Sequence, residues 1–137
     1  MDGSLTLRRG LTMQDLPWAL HLAYERYPPF DPGAAVAFYV NHMKSPASLK
    51  IRSSQAFLIG TIMTPPWRPT ERQFHVLVLC SAQGHHWEAV GLLRESADWA
   101  HLQNCGRWWF SSDTASDVGV LCRRIGATRH DRYGIML

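Results

Sequence analysis

The side chains able to do chemistry are few, and they are spread along the chain. His85 and His86 are adjacent, and together they could supply a base and a phosphate contact or simply be solvated surface. Neighbours at a helix start point in different directions, which makes the pair poor metal ligands. His75 lies inside the apolar run Q-F-H-V-L-V-L-C (73–80) and reads as a satisfied sheet histidine or as a general base. Glu71, two residues after Pro69, is either an exposed loop acid or the base for an amine. Cys80, Cys105 and Cys122 are odd in number and form no C-x-x-C pair, which points to reduced thiols in a cytosol-like compartment. Arg123, Arg124, Arg129 and Arg132 cluster late in the chain and could meet a phosphate or nucleic acid, or solvate a helix end. No phosphate-loop, G-x-S-x-G, H-E-x-x-H or EF-hand pattern is present, so no metal is expected.

The elements that must position these groups follow from composition and patterning. With 46% hydrophobic and 18% charged residues over 137 positions, the chain reads as one globular domain, 1–137, large enough to fold without a metal or disulfide staple. The net charge of +3 permits an anionic ligand but falls short of a nucleic-acid tail. No run approaches the roughly 20 apolar residues of a membrane span, and M-D-G-S-L-T-L-R-R lacks a signal peptide's apolar core, so a cytoplasmic protein with no membrane partner is expected.

Leu5–Arg9 alternates like a strand. Thr12 or Asp15 can cap a helix carrying Leu16, Ala19, Leu20, Ala23 and Tyr24 on one face. Asp31-Pro32 opens a second helix over Ala34–Met43. Ser48–Arg52 and Ala56–Met63 form a hairpin, and Gln73–Cys80 reads as a central buried strand. A long helix from about His86 to Asn104 places Ala89, Leu92, Leu93, Ser96, Ala97 and Ala100 in one stripe, with Gly106 as its terminating glycine. Arg107–Ser111 is a strand holding Trp108-Trp109-Phe110, mostly core. Ser116–Arg124 is a short helix closed by Gly126, and 127–137 supplies the last strands. The order is β-α-α-β-β-β-α-β-α-β, an α/β fold with a mixed, mostly antiparallel central sheet flanked by helices on both faces.

That order, with L-R-R-G-L-T-M-Q-D-L at 7–16, L-L-R-E-S-A-D-W-A at 92–100 and L-C-R-R-I-G-A-T at 121–128, resembles the GCN5-related N-acetyltransferase (GNAT) superfamily over nearly the whole chain. The resemblance implies a single GNAT-like acyltransferase domain that uses acetyl-CoA and transfers its acyl group to a small-molecule or protein amine. It implies a coenzyme diphosphate held by backbone amides at the start of the long helix, where unpaired donors meet the positive end of the dipole.

The family's R/Q-x-x-G-x-G/A loop falls on Gly84-His85-His86-Trp87-Glu88-Ala89, with Gln83 one step ahead. Ala89 fits that pattern. Trp87 stands where a glycine is expected, and Glu88 puts a negative charge beside the diphosphate. Leu79 and Cys80 would flank the thioester on the preceding strand. Cys122 occupies the position of the family's acid tyrosine and would protonate the departing thiolate. Tyr24, Tyr27 and Phe30 fall where the family's acceptor binds. The resemblance extends to short phage-encoded GNAT-like proteins, including virion proteins, whose L-x-x-I-G-A ending is similar to Leu121–Ala127. A non-catalytic binding or structural protein, located in a virion, is therefore the alternative reading. A homodimer and a nucleic-acid partner stay open.

Overall fold

The computed structural model describes residues 8–26 and 30–110. Within them the order is β1 (Arg9–Gly10), a short 3-10 turn (Met13–Asp15), α1 (Leu16–Arg26), α2 (Pro32–Lys44), β2 (Ser48–Arg52), β3 (Ala56–Met63), β4 (Gln73–Ser81), α3 (His86–Leu102) and β5 (Arg107–Phe110). The strands lie in one sheet in sequence order, antiparallel from β1 to β4 and parallel between β4 and β5. A parallel neighbour needs a crossover, and α3 provides it.

Alternation along the strands builds two cores. Leu58, Phe74, Val76 and Leu79 face α3 and pack on Ala89, Leu92, Leu93 and Ala100. Phe57, Ile59 and Cys80 face the other way and pack on Leu11, Ala19, Leu22 and Tyr39. Each fully buried Leu, Ile or Phe contributes about 1.5–3 kcal/mol through removal of apolar surface from water. Helices thus flank both faces, as expected. The hairpin and the central strand stand where the sequence placed them. Asp31 caps α2 by accepting from the Ala34 amide at 3.1 Å, with Pro32 opening the helix.

Two local expectations are corrected. In α1 the buried residues are Ala19 and Leu22, while Leu20 is half-buried and Tyr24 is exposed, so the core-facing stripe is rotated from the expected one. The left-handed residue that ends α3 is Asn104 (φ 63°), not Gly106. The Asn104 amide donates to His101 O and the Cys105 amide to Ala100 O, both at 3.0 Å, which is the paired bonding of a Schellman ending, with asparagine in glycine's role. Of the expected Leu5–Arg9 strand, positions 5–7 lie outside the described residues; Arg9 opens β1, which continues to Gly10 and pairs with Arg52 and Ile51 of β2. The expected helix at 116–124 and the strands after it lie outside the described residues.

One buried acid ties the first elements together. Asp15 accepts two bonds from Arg9 at 2.7 and 2.8 Å, one from Arg52 at 2.9 Å and one from the Thr12 amide at 2.8 Å. The Arg9 hydrogen bonds hold its carboxyl far below the usual range against the opposing effect of burial. Arg52 also stacks on Trp18, 3.5 Å from the ring centroid.

Candidate active site

The site begins with a fault in the sheet. Ile59 pairs with Val78 and Gly60 with Val76, so Leu77 is an extra residue in β4, a β-bulge. Gly60 permits it: a Cβ there would run into the Phe74 ring and come within 2.8 Å of His75 O. A bulge bends its strand and sharpens the local twist. This one falls immediately after Val76, the residue opposite Phe110 at the end of described β5. β4 then runs on to Ser81 through Leu79 and Cys80, the two strand residues expected beside a thioester. Both are buried, Leu79 toward α3 and Cys80 toward α1 and α2. Burial pushes the Cys80 thiol up to about 12, so it packs as a neutral group and is no nucleophile.

The chain leaves β4 through a loop that reaches the N-terminus of α3. Gly84 takes φ +82°, a conformation that suits glycine, with nothing within 4 Å of where a Cβ would stand. Gln83, Gly84, His86 and Trp87 are exposed, His85 is half-buried, and Glu88 and Ala89 turn inward. Glu88 therefore does not face a ligand at the helix end, as the sequence suggested. Its carboxylate is 1% exposed and accepts from Ser54 Oγ at 3.1 Å, the Gln55 amide at 2.9 Å and His85 Nδ1 at 2.8 Å. Burial pushes Glu88 up, but the hydrogen bonds from Ser53, Gln55, His85 and Ser54 outweigh it and leave it below the ordinary carboxylate value. The acid is a latch between the β2–β3 turn and α3. It orients His85 with Nε2 directed away from it. The exposed side of this helix start presents amides, a glycine and imidazoles, and the residues there fit an anionic diphosphate.

On the N-terminal half of β4, three residues join into a chain that the sequence reading missed. Glu71 Oε1 accepts from Gln73 Nε2 at 3.0 Å, and Gln73 Oε1 meets His75 Nε2 at 3.1 Å. Arg68 and Arg107 hold Glu71 at 3.3 and 3.1 Å. A carboxylate only accepts, so the Gln73 amide nitrogen must face it and the Gln73 oxygen must face His75. His75 Nε2 therefore carries the hydrogen, and Nδ1 is the basic nitrogen of the neutral ring. Burial lowers the His75 pKa below its ordinary 6.5, so the neutral form prevails at pH 7. The available signal was the i, i+2, i+4 spacing of Glu71, Gln73 and His75, which puts all three on one side of an extended chain.

Across the α1/α2 face lies a cavity of about 210 Å³. Phe30, expected to meet the acceptor, lines it together with Leu20, Ala23, Phe38 and Val78. Tyr24 is exposed and meets Phe30 edge-on at 5.7 Å between centroids, outside the lining. Tyr27, Cys122 and the arginines at 123, 124, 129 and 132 lie outside the described residues. Among the described residues, no group of three His, Cys, Asp or Glu is placed to hold a metal ion, and no helix is long and apolar enough to cross a membrane.

No protein-family model and no curated protein matches the sequence. Solved structures do match the fold. A transcriptional regulator from Bacillus halodurans C-125 superposes with a TM-score of 0.77 at 15% identity, covering 92% of this chain and 95% of that one. The aminoglycoside acetyltransferase AAC(6')-Iy, solved with the bisubstrate analogue CoA-S-monomethyl-acetylneamine, gives 0.77 at 10% identity and 93% of each chain. A protein described as a predicted acetyltransferase from Clostridium acetobutylicum, solved with acetyl-CoA, gives 0.76 at 14% identity and 94% of each chain. The chain thus has the fold of the GNAT acetyltransferases.

Proposed function

We propose that the chain is an acyl-CoA-dependent N-acyltransferase that moves an acetyl group from acetyl-CoA to an amine by direct attack. The observation that carries this reading is the inward turn of Glu88. It directs the Glu88 carboxylate into the protein and onto the Gln55 amide, away from the exposed Gly84, His86 and Trp87 at the start of α3. The start of α3 would hold the diphosphate through the amides of Gly84, His86 and Trp87 with the side chains of Gln83 and His85, because the His85 amide already donates to Ala82 O and the Glu88 amide to His85 O, both at 3.0 Å. Backbone groups near Leu79 and Cys80 would hold the thioester carbonyl past the bulge. Acetyl-CoA supplies the activated acyl carbon.

His75 Nδ1 takes the proton of the attacking amine, directly or through a water, and the Glu71–Gln73 chain holds the ring in the required tautomer. Cys122 or a water returns a proton to the leaving sulfur. Trp87, exposed in the first turn of α3 where the GNAT loop has glycine, favours a second reading: a non-catalytic binding protein, virion-associated or otherwise, on the same fold.

Calorimetric titration with acetyl-CoA decides between them. Micromolar binding, about −8 kcal/mol, is the expected result for the enzyme. No heat up to millimolar ligand would establish the second reading.

A further inference from the structure

We propose that the acceptor amine carries a compact apolar group, an aromatic ring or a branched aliphatic of similar size, which seats in the cavity between α1, α2 and the sheet. Its role as acceptor site rests on the acyl-transfer reading. Among the described residues the lining is aromatic and aliphatic, with no charged side chain. Tyr39 is the one described lining residue with a polar side chain, and its hydroxyl is already committed, donating to Thr12 O at 2.7 Å. A polycation placed there would lose its hydration with no carboxylate to replace it.

Size agrees with this class. An apolar cavity of about 150 Å³ accepts a benzene ring, and this one holds about 210 Å³. Leu20, Ala23, Phe30, Ala35, Phe38 and Val78 in its wall are all half-buried, so the cavity reaches the surface. Val78 also places it at the reacting strand, one residue past the Leu77 bulge and two past the last described β4–β5 pair.

The test is titration of the full chain with 2-phenylethylamine and, separately, with the polycation neamine. It is run on the wild type and on two fillings from different helices, Ala23→Phe and Ala35→Leu, with native circular dichroism as the condition for use. A parallel titration uses acetyl-CoA. The expected result is saturable 2-phenylethylamine binding, weakened about tenfold or more by either filling, with acetyl-CoA binding unchanged; tenfold corresponds to about 1.4 kcal/mol. Tighter binding of neamine, no saturation by 2-phenylethylamine, or ring binding indifferent to both fillings would overturn the proposal. So would a preference for longer acyl-CoA thioesters that the fillings abolish, since the cavity would then hold the acyl chain. Ring binding without acetyl-CoA binding would sink the acyl-transfer reading alone and leave an apolar ligand site standing.

Discussion

The two faces of the sheet are built differently. Against α3, Leu58, Phe74, Leu92, Leu93 and Ser96 are all fully buried, and even the serine is satisfied: it donates to Leu93 O at 2.7 Å and accepts from Trp108 Nε1 at 2.9 Å. Against α1 and α2, Leu20, Ala23 and Phe38 are half-buried around an apolar cavity. Close packing is the ordinary condition of a protein interior, and the α3 face meets it. That face holds β4 and the start of α3 in register. The other leaves an apolar cleft beside β4 that the described residues do not fill.

The comparison can be broken first by truncation on each side. Phe74→Ala, on the packed face, is expected to cost about 3–5 kcal/mol in denaturant unfolding. Leu20→Ala, which already borders the cavity, is expected to cost about 1 kcal/mol, because part of its surface is exposed to begin with. Equal losses would mean that the two faces are equally packed.

The next effect is chemical. His75→Gln should lower kcat about a hundredfold and remove the acid limb of the pH–rate profile. In the wild type that limb lies below 6.5, because burial favours the uncharged ring. Gln73→Leu removes the hydrogen bond that fixes the tautomer, and it should lower kcat while leaving KM for acetyl-CoA unchanged. A profile that neither change alters would remove His75 from the reaction.

Glu88→Gln sharpens the other end of the site. It keeps the shape but replaces a charged acceptor of three bonds, and should cost about 1–3 kcal/mol. The folded pKa of Glu88 lies below its ordinary 4.5, so this stability is present above 4.5 and is lost as pH falls through the folded value. The gap between wild type and Glu88→Gln in thermal melts should therefore close in acid. The smallest effect is expected at Trp87, which is exposed in the first turn of α3, beside the proposed diphosphate site. Trp87→Gly should leave acetyl-CoA affinity unchanged or raise it, and a sharp loss would show that Trp87 itself binds the coenzyme.

Much of the fold was legible because it rests on local rules. Apolar runs bounded by turn residues marked β3 and β4 within a residue of their observed ends. The Asp31-Pro32 pair marked the start of α2, and the stripe from Ala89 to Ala100 marked the buried side of α3. The errors came where one residue type can stand in for another. Asn104 tolerates the left-handed conformation almost as glycine does, so Gly106 was a false signal. The stripe of α1 turned because the 3-10 turn before it and the Asp15 cluster set its rotation.

The sequence by itself determined the element order over the described residues, the helix-start loop at Gln83–Ala89 and the presence of His75 in a buried strand, since period, capping and composition are properties of neighbouring residues. Only the tertiary structure decided that Glu88 faces inward, because its partners Ser54 and Gln55 lie more than thirty positions away. The same holds for the cavity, whose walls come from two helices and two strands that no local pattern brings together. Side-chain direction at a helix end and the volume left between layers are set by packing, and packing depends on contacts that sequence spacing does not contain.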